Sequence, residues 1–281
     1  MEPIIRYEQV SKSYGDQAVL QNFSLDVFPG ELLTIIGRSG CGKTTALKLV
    51  NGLVHPDSGR ILVQGKDIAG SDPVALRRRI GYVIQSVGLF PHMTVEKNIA
   101  YVPSISGMAG WKGQDRREKV SALLAQVGLD PALANRYPRT LSGGQRQRVG
   151  IARALAAGPE ILLMDEPFGA VDEITRGQLQ EELHKIHREN GITILFVTHD
   201  IDEALKLGTR VLVLDQGKIQ QCDAPAAVLR QPATKFVADL VNQQRRFQDR
   251  TEEYLISEVD QVRKYQEMLK RLLDDRQGEK P

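Results

Sequence analysis

The chain has only two cysteines, Cys41 and Cys222, in 281 residues. They form no CxxC pair, which excludes a disulfide framework and a thiolate metal cluster and makes a reducing compartment the expectation. Charge of one sign is also lacking: 37 Lys and Arg stand against 35 Asp and Glu, a formal net charge of +2. A surface that grips a nucleic-acid backbone needs a basic excess, so a nucleic-acid partner is not expected. Long hydrophobic runs are missing as well. Apolar stretches such as Val211–Leu214 are strand-sized, far short of the ~20 residues of a membrane-crossing helix. The opening MEPIIRYEQV has no basic stretch followed by an apolar run and does not read as a signal peptide. Tryptophan occurs once, at Trp111 in the segment SISGMAGWKG, where surface or hinge packing is expected rather than ligand stacking. His184 and His187 would share one helix face, but no cysteine or third histidine stands beside them, so a solvated face is expected rather than a metal site.

What is present is a globular chain, 41% hydrophobic and 26% charged, long enough for one large domain or two modest ones. Short β-rich runs alternate with helical stretches. Ile4–Val10, Val19–Val27, Leu32–Ile36, Ile61–Gln64, Gly81–Gln85, Ile161–Met164, Thr193–Val197 and Val211–Leu214 read as strands. Several are continuous apolar runs, as strands buried on both faces should be. Helices are expected over Thr44–Asn51, Glu173–Glu189 and Asp202–Lys206. The alternation predicts an α/β fold with a mainly parallel central sheet and a smaller antiparallel β-layer. Residues 91–158 are helix-rich, with Thr94–Tyr101 and Arg116–Gln126 as candidates, and read as an inserted helical subdomain. The expected division is a core of residues 1–90 and 159–242, the insertion 91–158, and a tail 243–281. The tail's 39 residues hold nine basic and nine acidic groups. Leu255, Val259, Val262, Gln266, Leu269 and Leu273 follow a heptad-like step, predicting a helix with one sticky face that docks on its own domain or on another subunit.

Gly37-Arg38-Ser39-Gly40-Cys41-Gly42-Lys43-Thr44, followed by Thr45, fits the phosphate-loop pattern GxxxxGK[ST] between an apolar strand and a helix. Glycines let successive backbone N–H groups turn inward onto a phosphate, and the helix offers its positive end to the same anion. Lys43 supplies a point charge to the β- and γ-phosphates, and Thr44 a hydroxyl to Mg²⁺. Cys41 takes a variable position; a helix N-terminus lowers a thiol pKa, although a small space-filler is the plainer reading. Ile161-Leu162-Leu163-Met164-Asp165-Glu166 is an apolar strand ending in two carboxylates. Asp165 falls where a metal ligand is wanted, and Glu166 where a group polarising an attacking water is wanted. Hydrolysis, and not binding alone, is the expectation.

Leu141-Ser142-Gly143-Gly144-Gln145 then gives the sequence its family likeness. With the phosphate loop and the Asp-Glu strand, it resembles the ATP-binding cassette ATPases, the motor subunits of ABC transporters. The resemblance covers about residues 4–240. It implies that Ser142, Gly143, Gly144 and Gln145 bind an ATP held by the opposite protomer, so that a homodimer or pseudo-dimer sandwiches two ATP molecules. It further implies that Tyr14 stacks on adenine, Gln85 touches Mg²⁺ and the attacking water, Asp172 lies at the dimer seam, and His199 holds the γ-phosphate. The family more often has Leu where Val171 stands.

Because no membrane domain is read in the chain, the resemblance implies separate permease subunits and an extracytoplasmic binding protein. The chain would then sit peripherally on the cytoplasmic face of a bacterial inner membrane. GLFPHMTVEKNIA, DEPFGAVDEITRGQLQEEL and FVTHDIDEALKLG are similar to osmoprotectant importer cassettes, which take up glycine betaine, choline, carnitine or related quaternary amines. Many of those carry C-terminal CBS regulatory domains, for which residues 243–281 are too few. Taurine, nitrate or another small solute remains an alternative cargo, and a soluble cassette ATPase acting on DNA or ribosomes the alternative class. The near-neutral charge and the single cassette speak against the latter.

Overall fold

The computed structural model describes residues 1–169 and 171–242; the tail expectations lie outside them. Strands run as β1 (Ile5–Tyr14), β2 (Gln17–Val27), β3 (Leu32–Ile36), β4 (Ser58–Val63), β5 (Lys66–Asp67), β6 (Ile80–Val83), β7 (Ile161–Asp165), β8 (Thr193–Val197), β9 (Arg210–Asp215) and β10 (Lys218–Asp223). Helices are α1 (Lys43–Val50), α2 (Pro73–Arg79), α3 (Val95–Ile99), α4 (Tyr101–Ile105), α5 (Gly113–Gln126), α6 (Gly143–Leu155), α7 (Glu173–Asn190), α8 (Ile201–Leu207) and α9 (Pro225–Arg230). These elements belong to one unit, Met1–Thr234. In the second unit, which starts at Lys235, residues 235–242 are helical.

A six-stranded sheet has the order β10-β9-β3-β8-β7-β6. Its members are parallel except for β10, which returns antiparallel to β9. The expected β-layer is a four-stranded antiparallel sheet, β2-β1-β4-β5. Strands β3, β7 and β8 are buried at every position, which explains their largely apolar composition. Because successive side chains point to opposite faces, each strand feeds two cores. Leu33, Ile35, Leu163, Leu195 and Val197 join α1 and the small sheet. Leu32, Leu162, Met164, Ile194 and Phe196 join α3, α5, α6 and α7. Each such side chain contributes about 1.5–3 kcal/mol by burial.

Several elements differ from the sequence expectation. The helix expected over Thr94–Tyr101 is two short ones: α3, capped by the Thr94 hydroxyl on the Lys97 amide, and α4, which continues to Ile105. Trp111 is buried, 6% exposed, in the core on the helical face of the sheet, with the Lys119 ammonium 5.5 Å from its ring centroid. His184 and His187 do not simply face solvent. Their Nε2 atoms lie 3.1 Å from the Lys206 carbonyl and 3.0 Å from the Gly30 carbonyl, pinning α7 to its neighbours. Burial lowers the His187 pKa below the ordinary histidine value. No group of three or more His, Cys, Asp or Glu side chains placed to hold a metal ion occurs among the described residues, and no described helix is long and apolar enough to cross a membrane.

Candidate functional site

Sheet register brings the chemistry together. Ile35 of β3 pairs with Val197 of β8, and Val197 with Asp165 of β7; Met164 pairs with Val83 of β6. The residues just past these pairs, Gly37, His199, Glu166 and Gln85, therefore leave neighbouring strands at one end of the sheet. That is where ligands bind in open α/β sheets. Two backbone bonds fasten the exits: the Glu166 amide donates to the Val197 carbonyl at 2.9 Å, and the Thr198 amide to the Ile35 carbonyl at 3.2 Å.

The loop from Gly37 to Gly42 wraps the start of α1. Gly42, at φ 108°, is the N-cap, in a conformation L side chains rarely adopt. A Cβ on it would stand 2.6 Å from the Val19 carbonyl oxygen, so β2 closes tightly on the loop. Arg38, Ser39 and Gly40 are exposed, whereas Cys41, Gly42, Lys43 and Thr45 are buried and Thr44 is half-buried. The Lys43 ammonium donates to the carbonyls of Gly37 at 2.8 Å and Arg38 at 3.1 Å. Cys41 sits beneath the loop, where burial pushes its thiol pKa up. The lowered pKa that its helix-end position suggested is not found, because desolvation outweighs the Lys43 charge and the amide hydrogen bonds.

The Thr44 hydroxyl donates to Asp165 Oδ1 at 2.9 Å. Burial raises the Asp165 pKa, opposed by the Thr44 hydrogen bond. Beside it, Glu166 adopts φ 45°, which turns its carboxylate out of the strand. Its Oε2 receives the Gln85 amide at 3.2 Å and lies 3.4 Å from His199 Nδ1. Gln85, Glu166 and His199 are thus gathered on one oxygen, adjacent to the Thr44–Asp165 pair.

The remaining predicted residues sit on helix starts. Ser142 caps α6 through a reciprocal box: its hydroxyl accepts from the Gln145 amide at 3.2 Å, and its own amide donates to Gln145 Oε1 at 2.9 Å. Ser142 and Gly143 are exposed. A Cβ on Gly144 would stand 2.7 Å from Thr175 Cγ2, so the first turns of α6 and α7 lie in contact. Asp172 caps α7 by accepting from the Thr175 amide at 3.0 Å, which lowers its pKa. Tyr14 ends β1, half exposed at 50%, 5.8 Å from the Lys12 ammonium.

Sequence reasoning missed the layer behind these groups. Asp200 accepts from the amides of Asp202 and Glu203, capping α8. Glu203 is buried, bonded to Gln180 at 3.2 Å, and burial raises its carboxyl pKa. Arg176 donates to the Val171 carbonyl at 3.3 Å and stands 3.8 Å from Asp200. The capping spacing Asp200-x-x-Glu203 was the one available signal; nothing local marks Arg176.

The family described as "ABC transporter" matches residues 20–169. The glycine betaine/carnitine/choline transport ATP-binding protein of Bacillus subtilis (strain 168) is 48% identical over 260 residues, 92% of this chain and 67% of that protein. The glycine betaine uptake system ATP-binding protein of Escherichia coli (strain K12) is 48% identical over 234 residues, covering 83% of this chain and 75% of that one. Among solved structures, a dimeric post-hydrolysis ATP-binding cassette bound to ADP and Pi superimposes with a TM-score of 0.72. It is 34% identical and covers 79% of this chain and 98% of its own.

Proposed function

Because the chain belongs to the ABC transporter family of ATP-binding cassettes, we propose that it is the ATP-hydrolysing subunit of an importer for a quaternary-amine osmoprotectant. The observation that carries the catalytic reading is the meeting of Gln85, His199 and Glu166 at one carboxylate oxygen, beside the phosphate loop. In this reading the Lys43 ammonium and the amides of Gly37, Arg38, Ser39, Gly40, Cys41 and Gly42 hold the β- and γ-phosphates. Thr44 and Thr45 line the loop, and Tyr14 packs on adenine. Glu166 orients the attacking water and takes its proton as the bond to the leaving diphosphate oxygen breaks. His199 and Gln85 keep that carboxylate and the γ-phosphate in line.

A hydroxyl and a carboxylate 2.9 Å apart, Thr44 and Asp165, are hard oxygen donors of the kind Mg²⁺ takes, and the desolvated Asp165 carboxylate suits a cation. With Gln85 these residues would hold the ion, which when bound neutralises phosphate charge. Ser142, Gly143, Gly144, Gln145 and Asp172 are assigned to an ATP held by a second copy or a paralogous cassette. The exposure of Ser142, Gly143 and Asp172 and the helix N-terminus at Gly143 support an anion partner from outside the chain. The dimeric neighbour bound to ADP and Pi supports the same pairing. We further infer separate permease subunits, an extracytoplasmic binding protein, and a peripheral place at the cytoplasmic face of a bacterial inner membrane, with no nucleic-acid partner. The osmoprotectant cargo rests on the names of the relatives; taurine or nitrate is the rival cargo.

Glu166→Gln is expected to keep ATP binding while turnover falls by about 10²- to 10⁴-fold, with an ATP-dependent dimer accumulating in gel filtration. Full turnover by this variant would overturn the catalytic reading. Cargo is tested by uptake of labelled glycine betaine, taurine and nitrate in cells with and without the gene. Loss confined to taurine or nitrate would overturn the osmoprotectant assignment.

A further inference from the structure

The turn that carries Gln85 is held from outside the phosphate site. The Val87 amide donates to the Ile84 carbonyl at 3.0 Å, closing a turn with Gln85 and Ser86 at its centre. Val87 itself has φ 56°, a left-handed conformation that costs a β-branched residue about 1–3 kcal/mol and persists only where its surroundings enforce it. Helix α6 supplies the enforcement. Arg153 Nη2 donates to the Val87 carbonyl at 2.7 Å, and Nη1 to the Gly88 carbonyl at 2.7 Å. The planar guanidinium fork thus grips two successive peptides.

A second contact comes one helical turn earlier, on the same face. A Cβ on Gly150 would stand 2.6 Å from Val87 Cγ1. Glycine inside a helix costs about 0.5–1 kcal/mol relative to alanine, and the closeness of Val87 is the physical reason it is there. Burial lowers the Arg153 pKa, as expected for a charge withdrawn from water onto carbonyl groups. The other end of the same helix is Ser142. At 1.5 Å per residue, Ser142 and Arg153 lie about 16 Å apart along one rigid rod.

We propose that Arg153 is a positioning residue that fixes the Gln85 turn to α6, so that Ser142 and Gln85 shift as one body relative to Glu166, which the central sheet holds. This rests on the function proposed above, in which Ser142 serves an ATP held by the other protomer and Gln85 serves the chain's own. Arg153 then carries the state of one ATP site to the next, and turnover depends sigmoidally on ATP.

The test is steady-state turnover of the full chain against ATP concentration, for the unsubstituted protein, Arg153→Gln and Gly150→Ala. Gly150→Ala approaches the same contact from the other side and keeps the helix, since alanine is the better helix former; it carries the test should Arg153→Gln fail to fold. Both variants are expected to lose about tenfold in kcat, with the Hill coefficient falling toward 1. Affinity for a fluorescent ATP analogue, read in the Glu166→Gln background, stays unchanged. Unaltered kcat and sigmoidicity in a folded variant would overturn the proposal. So would retained sigmoidicity with only a lowered melting temperature, or a hyperbolic response in the unsubstituted chain. No turnover at all in the unsubstituted chain would instead overturn the hydrolysis reading, and this inference with it.

Discussion

Glu166 reaches its position through backbone strain. At φ 45° it costs about 1–3 kcal/mol relative to a relaxed residue, and its amide bond to Val197 and its place between two central strands hold it there. The strain aims the carboxylate at Gln85 and His199. Lys43 shows the opposite economy, its ammonium already desolvated against its own loop. Lys43→Ala is expected to weaken ATP affinity by about 10- to 100-fold, the value of one or two charge-assisted hydrogen bonds; unchanged affinity in a nucleotide titration would contradict the phosphate-loop role. Glu203 gives a pH prediction. Burial raises its folded-state pKa above the unfolded value, so the native fold favours the protonated acid. The stability this contributes is full below the ordinary glutamate range and is lost as pH rises through the raised value. Glu203→Gln, which keeps the oxygen that accepts from Gln180, is therefore expected to raise the melting temperature at pH 7.5 relative to the unsubstituted chain, and by less at pH 4.5. A gain that is equal at both pH values would exclude desolvation as the cause. At this scale, the placement of residues set by contiguous pattern was legible: Lys43 and Thr44 follow the exit of β3, and Asp165 and Glu166 stand at the end of β7. Arg153 and the burial of Glu203 against Gln180 were not, because those partners lie 66 and 23 residues away, and Arg176 meets Asp200 only across the fold.

Among elements, the buried strands were the most readable, since β3, β7 and β8 are largely apolar, each with a single polar residue. Helix α2 was missed although Asp72 caps it and Pro73 opens it; its seven residues bury nothing, so no apolar stripe announces it. Strand β10 was missed for a related reason, being a half-exposed edge strand rich in glutamine. The junction of α6 with α7 rests on Arg148, whose guanidinium pairs with Glu182 and donates to the Val127 carbonyl at 2.8 Å. Arg148 is 8% exposed and Glu182 27%, so removing the guanidinium strands a largely buried carboxylate and a carbonyl. Arg148→Ala is expected to cost about 2–3 kcal/mol, below the range for a fully buried pair because Glu182 retains some water. Urea unfolding checks this, and a change under 0.5 kcal/mol, about the size of a surface substitution, would show the pair to be dispensable.

At the level of the whole molecule, the α/β class and the antiparallel layer followed from alternation of apolar runs, but the order β3-β8-β7-β6 did not. Neighbouring strands in the sheet are far apart in the chain, and pairing partners cannot be read from composition. That order puts β8, which leads to His199, between β3 and β7, which is why His199 can reach Glu166 at the end of β7. The same sheet also acts as a partition. Odd-numbered apolar side chains of β3, β7 and β8 face α1 and the small sheet, and even-numbered ones face the helical layer. The two layers therefore draw on separate letters of one text. A graft of a relative's helical insertion should need matching changes only at the even-numbered set, Leu32, Leu162, Met164, Ile194 and Phe196, leaving the odd-numbered letters untouched. The fold is in this sense modular through its thickness, each face of the sheet carrying its own set of side chains.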